Sequence, residues 1–470
     1  MADTLLAYSY SLITFSLLYF FLKKTLDRKG DISFKKEILW WVLFGFVFNL
    51  YGFSWLYTTY PLIWMKGGMI QIIGIGILHL ILSLASALCF FVVGYGFVYS
   101  KKIHIHLKPF IFGLSLTLAE VLRSLFISLL YLGNKTTIDL HFNAGTIGNA
   151  LALTPLIEYA YFGGTFILTC IVGYLVYCAA SYENVRRYIW HTFGIFGLAI
   201  VIHFFVPTYG PQIPITVSVI TTDFTTLPDN EILAAFKEQN KRIHTMTTSL
   251  KDSNPSIIVY PEDTRYFAYI GEDTKNTLRK DFQNTLFIDG DTTRGKEGLS
   301  NVSLFYSTKE DKLLGRGKSF LLPFNEYIPY FFKPIFYFFV PQAEMDTYIR
   351  NHTYTPIHSV KTIPFGDIRI GTLLCSEILS YKVLSDVKDE RPDVVFFQSH
   401  LNVFHNNLWF RMHMLSFSTI AAAQLRRPLI ASVNGAPSHM ISPYGRVVRT
   451  MPAGFSTSTY IIVNDTITPK

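Results

Sequence analysis

The chain predicts a bundle of membrane-crossing helices followed by an α/β domain. Three observations carry this. Six long apolar segments precede about residue 207, short β-rich runs alternate with helical stretches from about residue 212 onward, and Lys and Arg in the first part are concentrated in every other connection. The expected division is therefore 1–207 for the helical membrane part and 212–470 for the α/β part.

Half of the residues are hydrophobic and Phe alone occurs 41 times, with the polar residues unevenly spread, which suits a membrane part joined to a soluble one. The apolar segments run over about 4–22, 38–57, 69–99, 109–132, 156–180 and 188–206. The first lacks the basic start and small-residue cleavage site of a signal peptide, so it is expected to stay attached. The third is long enough to tilt or to break near His79.

The connection after the first span holds Lys23, Lys24, Arg28, Lys29, Lys35 and Lys36, that after the third Lys101, Lys102 and Lys108, and that after the fifth Arg186 and Arg187. The intervening connections carry only Lys66 and Lys135. Basic loops stay in the cytoplasm, so the N-terminus and everything after the sixth span are expected outside. The net charge of +8 is thereby accounted for by topology, and no basic run interleaved with aromatics points to nucleic acid.

Within the spans, Glu120 and Arg123 lie three apart and share a helix face. They are open to two readings, a structural ion pair or a role in substrate passage. The connection Gly133–Pro155, with Asn143, Gly145, Gly148 and Asn149, reads as a loop facing the soluble part, and Glu158 begins the next span near the same surface.

In the second part, Ile213–Ile220 alternates as a first strand and Asn230–Leu250 has helical spacing. Strands are predicted at Ile257–Tyr260, Thr285–Asp289, Val302–Tyr306, Ile368–Leu374, Asp393–Gln398 and Leu429–Val433, and helices near Glu272–Gln283, Ile378–Val387 and Asn407–Leu425. Tyr330–Val340 is too short to span a bilayer and too aromatic for water. It is read either as an interfacial arm dipping into the outer leaflet or as filling beneath the sheet.

Cys375 follows the strand Ile368–Leu374 and precedes a helical run, a place that presents a sulfur at a sharp strand end. A lone cysteine can equally be a small core residue. Cys89, Cys170 and Cys178 lie in spans, so Cys375 is an unpaired thiol in a part expected to face an oxidising compartment. Glu262, after the apolar run closed by Pro261, and Lys318, in Gly315–Pro329, also stand at strand ends. A carboxylate near the thiol can take its proton during attack on a carbonyl, and an ammonium can favour the thiolate and hold an oxyanion, with the backbone N–H after Cys375 as a second donor. Glu326 is a second carboxylate able to orient the lysine, or an exposed loop charge.

Glu262, Lys318 and Cys375, in that order and with Pro261-Glu262 and Cys375-x-Glu377, resemble the Glu-Lys-Cys set of the nitrilase (carbon-nitrogen hydrolase) superfamily. With the membrane bundle in front, the chain resembles the apolipoprotein N-acyltransferase family. The likeness runs through Gly45–Trp55, Glu120-x-x-Arg123, Asn301, Lys318–Pro329, Arg427-Pro428 and Asn434-Gly435. The resemblance implies a nitrilase-like four-layer αββα sandwich joined to a multi-pass α-helical membrane bundle. It implies a two-step transfer in which Cys375 takes an acyl chain from a glycerophospholipid as a thioester and passes it to the N-terminal amine of a diacylated apolipoprotein. Glu326 and Glu377 match positions that support the triad, Asn301 matches a site asparagine, and Ser376 stands beside the nucleophile where the family usually has an aromatic residue.

There are further departures. Ser399-His400-Leu401-Asn402-Val403-Phe404 replaces an Asn-Asp-aromatic stretch, His141-Phe142-Asn143 replaces a Trp-containing loop, and the chain reaches Lys470 without the family's last membrane helix. The implied partners are a phospholipid donor, the apolipoprotein acceptor and the bilayer itself, with a monomer expected in a bacterial cytoplasmic membrane and the α/β part on its outer side. No cofactor or metal is expected, and His400, His405 and His413 are read as ordinary polar or loop residues. A membrane-anchored amidase or hydrolase would use the same triad with water in place of the amine. A non-catalytic scaffold would leave Cys375 unreactive.

Overall fold

The computed structural model describes residues 2–28, 33–61, 68–140, 145–181, 185–224, 232–295 and 298–469. The apolar first part forms α1 (Ala2–Leu26), α2 (Phe34–Gly52), α3 (Gly68–Leu88), α4 (Phe91–Ser100), α5 (Lys108–Leu130), α6 (Ala160–Ala180) and α7 (Val185–Phe205). Among the described residues six segments are long and apolar enough to cross a membrane, α3 and α4 together making the third. Leu12, Leu39, Met69, Trp190, Phe204 and Phe205 are all exposed on these helices. Large side chains displayed in such number suit lipid rather than water.

The third segment breaks at Cys89–Phe90, about ten residues beyond the expected place near His79. His79 is satisfied without a break, through the Leu50 carbonyl at 2.9 Å and the Tyr57 hydroxyl at 3.3 Å. The turn tightens instead where the Phe90 N–H bonds to the Ala87 carbonyl, and the fully buried Phe90 ring sits over Gly45, where a Cβ would come within 2.6 Å of it. Glu120 and Arg123 form a buried ion pair at 2.6 Å. Glu120 also accepts from the Ile147 N–H, and Arg123 donates to the Asn49 side chain, so both charges are satisfied inside the bundle. This is the geometry of the structural reading.

The second part runs β1 (Ile215–Thr221), α8 (Ile232–Thr248), β2 (Ile257–Val259), α9 (Tyr266–Tyr269), α10 (Glu272–Asp281), β3 (Leu286–Gly295), β4 (Gly298–Ser307) and β5 (Lys312–Gly317). It continues with α11 (Lys333–Phe339), α12 (Gln342–His352), β6 (Thr362–Phe365), β7 (Ile368–Leu374), α13 (Tyr381–Asp389), β8 (Val394–His400) and α14 (Leu408–Leu425), then β9 (Leu429–Asn434), β10 (Ser438–Ile441), β11 (Val447–Met451), β12 (Ser456–Val463) and β13 (Thr466–Pro469). One sheet has the order β13-β12-β1-β2-β3-β4-β5 and the other β11-β10-β9-β8-β7-β6.

Alternation along the strands builds the layers. Val217, Val219, Ile257, Val259 and Ile288 of the first sheet pack against Ile370, Val394, Phe396 and Ile430 of the second. The other face of the first sheet, through Ile258, Tyr260 and Phe287, meets Ile243, Leu278 and Phe282 of the helical layer. The other face of the second sheet, through Leu373, Val395, Phe397 and Val433, meets Leu384, Val387, Met414 and Phe417 of α13 and α14. The result is an αββα sandwich.

Helix α14 is shared between the two parts. Ile420 and Ala423 join the core of the bundle, and Met414 and Phe417 join the core of the sandwich. Gly164, at φ 54°, kinks α6 where the side chain of Gln424 approaches, and a Cβ there would lie 2.6 Å from its oxygen. Charge adds to the joint: Glu158 pairs with the fully buried Arg426 at 2.5 Å and with His203 at 2.8 Å. In the connection before α6, Ile147–Leu151 is a buried turn against α6 and α1, while Asp139 reaches out to Ser380 and the Lys382 N–H. Asn143 lies outside the described residues.

Two of the segments that differ from expectation follow Cys375 and Lys318. The helix expected over Ile378–Val387 starts as a 3₁₀ turn, Cys375–Leu379, and α13 begins only after Ser380, whose hydroxyl accepts the Val383 N–H at 3.1 Å. The aromatic segment 330–340 contains α11 and divides its side chains. Phe332 is buried and Phe336 packs on the sandwich core, as the filling reading expects, whereas Tyr330, Phe331 and Phe338 are exposed.

Candidate active site

Glu262, Lys318 and Cys375 stand just beyond β2, β5 and β7, so residues from both sheets converge at one end of the sandwich. Cys375 follows Leu374 with φ at 41°, a left-handed backbone that turns the chain sharply out of the strand and costs about 1–2 kcal/mol for a residue with a side chain. Its sulfur is buried and accepts a hydrogen bond from the Ser399 hydroxyl at 3.6 Å. Ser399 was not foreseen. It lies one residue past Gln398, the parallel-sheet partner of Leu374, and so comes level with Cys375 only once β7 and β8 pair.

The Lys318 ammonium is buried between two carboxylates, 3.0 Å from Glu262 and 2.9 Å from Glu326. Glu326 comes back to Lys318 because Leu322–Tyr327 is a tight reversal, with the Glu326 N–H bonded to the Leu322 carbonyl and the Phe324 N–H to that of Tyr327. The Glu326 carboxylate also accepts from the Asn301 amide at 2.5 Å and the Leu322 N–H at 2.6 Å. Asn301 in turn accepts from the Thr292 hydroxyl at 3.0 Å. Of the two readings for Glu326, the exposed loop charge does not describe this position.

Electrostatics follow from the burial. Burial pushes the Glu262 carboxyl above its ordinary range, against the pull of Lys318 and with some help from Glu326. Burial opposes the Lys318 ammonium, but Glu262 and Glu326 together outweigh it and hold its pKa well above the usual value. The Cys375 thiol is pushed up to about 12, first by burial and then by the Glu262 charge, against the lowering by Lys318. The expected preference for the thiolate is therefore overridden in the resting site. Two carboxylates share one ammonium, and burial favours the protonated thiol over the thiolate.

Glu377 is buried, and both of its oxygens are engaged by other groups. One of its oxygens accepts from the Lys361 ammonium at 2.5 Å, the Ser319 N–H at 2.7 Å and the Ser319 hydroxyl at 2.9 Å, and the other accepts from the Leu374 N–H at 3.0 Å. Burial alone would raise its pKa, but Lys361 reverses this and holds it below the ordinary value. Ser376 donates to the Phe320 carbonyl at 2.7 Å, a second tie between the cysteine turn and the lysine loop. His400 ends β8 rather than lying in a loop, 3.8 Å from Asp263, and burial lowers its pKa. Among the described residues no group of three or more His, Cys, Asp or Glu is placed to hold a metal ion.

The backbone around Glu262 depends on Gly290 of β3, where a Cβ would come 2.7 Å from both the Glu262 Cα and the Asp263 nitrogen. Gly290→Ala must displace backbone, and the expected cost is about 1–3 kcal/mol of stability. A fall in Tm together with slowed labelling of Cys375 is the result to look for.

No family model and no curated protein matches the chain. Among solved structures, it is similar to an amidase from Nesterenkonia sp. at 10% identity, covering 54% of this chain and 90% of that one with a TM-score of 0.36. Nit3 of Saccharomyces cerevisiae aligns at 12% identity over 53% of this chain and 90% of its own, with a TM-score of 0.39. A glutamine-dependent NAD+ synthetase from Acinetobacter baumannii aligns at 14% identity over 53% of this chain and 46% of its own, with a TM-score of 0.36. The amidase and Nit3 are nitrilase-superfamily proteins.

Proposed function

We propose that the protein is a membrane-embedded N-acyltransferase that moves an acyl chain from a glycerophospholipid, through a thioester on Cys375, to the N-terminal amine of a diacylglyceryl-cysteine on an apolipoprotein. The observation that carries this reading is the shared Glu262–Lys318–Glu326 charge set beside a buried thiol in a sandwich whose helix α14 is built into an apolar helical bundle. The acceptor and donor identities rest on the motif resemblance.

In the first half-reaction Glu262 takes the thiol proton as the sulfur attacks the ester carbonyl carbon. Lys318 and the Ser376 N–H stabilise the oxyanion. The C–O bond then breaks, and the proton on Glu262 passes to the departing alkoxide, releasing a lysophospholipid. In the second half Glu262 takes a proton from the attacking amine, the C–S bond breaks, and the thiolate regains a proton as the amide leaves. One base serves both halves, and the apolar chains of the two substrates contribute binding at the level of the bilayer. The alternation of Lys and Arg among the connections supports a sandwich on the outer side of the membrane.

Intact-mass measurement of a diacylated lipopeptide incubated with purified protein and phospholipid tests this directly. A gain of one acyl group on the peptide is expected. Release of free fatty acid with the peptide unchanged would instead make the protein a hydrolase. The rate of thioester formation should fall as pH drops through the Glu262 pKa, which burial holds above the ordinary carboxylate range, because a protonated carboxyl cannot act as base. Glu262→Gln should slow the step roughly 10²–10⁴-fold and abolish that acid limb.

A further inference from the structure

We propose that Lys361 is a positioning residue that aligns the nucleophile turn with the loop bearing the catalytic ammonium, acting through Glu377. The proposal rests on Cys375 being the nucleophile. Lys361 stands immediately before β6, in a stretch with no local signal of function, yet it is 4% exposed and thus among the few buried lysines.

Its ammonium donates to the Gly317 carbonyl at 2.6 Å and to the Glu377 carboxylate at 2.5 Å. Gly317 ends β5 directly before Lys318. Glu377 in turn takes the Ser319 N–H and hydroxyl, directly after Lys318, and the Leu374 N–H, directly before Cys375. The two residues flanking Lys318 and the residue preceding Cys375 are thus gathered on one buried ion pair. The backbone of Lys361 is itself fixed, its N–H donating to the Glu390 carboxylate at 2.9 Å and its carbonyl accepting the Thr372 N–H at 3.0 Å.

Two features point to alignment rather than plain stabilisation. Cys375 is held in a left-handed conformation that nothing in its own residue type favours, so the turn needs outside bonds, and Glu377 supplies one at Leu374. The Lys318 loop and the Cys375 turn belong to different sheets, and the Lys361–Glu377 pair joins them close to the reacting atoms. Buried charge pairs contribute little net stability over apolar substitutes but fix geometry when every oxygen and proton has a partner.

The test follows single-turnover acylation of Cys375 by intact mass at several phospholipid concentrations, and iodoacetamide alkylation of Cys375 without lipid. Lys361→Met should slow acylation on the order of 10²-fold, the effect of a misplacement of about 1 Å, with the half-saturating lipid concentration unchanged. Lys361→Met/Glu377→Gln should be no slower than Lys361→Met, because both changes break the same Lys361–Glu377 pair. Lys361→Gln, whose amide can still donate to one of the two acceptors, should fall between wild type and Lys361→Met. It also keeps the test decisive if the methionine variant is not recovered folded.

Wild-type rates in Lys361→Gln or Lys361→Met, a change confined to lipid affinity, or multiplied effects in the double variant would overturn the proposal. If wild type forms no thioester, the acyltransfer reading fails by itself. Alkylation then still tests the positioning role, and equal alkylation rates in wild type and variants would overturn it.

Discussion

Replacing Cys375 with alanine is expected to eliminate the proposed acyl-thioester and to lower transfer to the lipopeptide on the order of 10⁶-fold, the scale of loss when a covalent nucleophile is removed. The fold should survive this change, because the side chain is small and, among the described residues, its side-chain hydrogen bond is to Ser399. Cys375→Gly sharpens the test. A glycine relaxes the left-handed φ of 41° and should be at least as stable as the alanine variant by about 1 kcal/mol, while being equally inactive. Intact mass and Tm read the two effects separately. A glycine variant less stable than alanine would mean that the turn is not strained, and transfer persisting in either variant would remove the sulfur from the chemistry.

Lys318→Met is expected to have the largest combined effect on activity and stability. It leaves Glu262 and Glu326 buried and facing the same vacated position without a cation, at a cost of about 3–5 kcal/mol. The sign of the pH dependence distinguishes this cause from a packing defect. Without the ammonium, burial should hold the folded-state pKa of Glu262 still further above its unfolded value. The folded state then binds more protons, and the variant is closest to wild type at acidic pH and loses further stability as pH rises through those values. Lys318→Met/Glu326→Gln, with one carboxylate removed, should recover part of the loss in Tm without recovering acylation. A deficit independent of pH would show that the two carboxylates are not the reason.

The α/β pattern and the strand Ile368–Leu374 were legible because one face of each strand repeats apolar residues every second position. Strands β5 and β6 were not, since Lys312–Gly317 and Thr362–Phe365 are short, partly exposed edge strands with little apolar repeat. The break falls at Cys89–Phe90, where the Phe90 ring packs into the space that Gly45 leaves on another helix, a contact no neighbouring residue signals. A polar residue such as His79 in an apolar run marks a place that needs partners, not a place that must bend.

Chain-local chemistry was sufficient for the apolar spans, the alternating strands and the residue types at the strand ends, because side-chain periodicity and composition act over a few neighbouring positions. The pairing of β7 with β8 that puts Ser399 on the sulfur, the reversal that returns Glu326 to Lys318, and the Lys361–Glu377 tie depended on folding in three dimensions. So did the upward push on the thiol pKa. Desolvation and charge coupling depend on which groups are buried side by side, and for Glu262, Lys318 and Cys375 those neighbours come from distant parts of the chain.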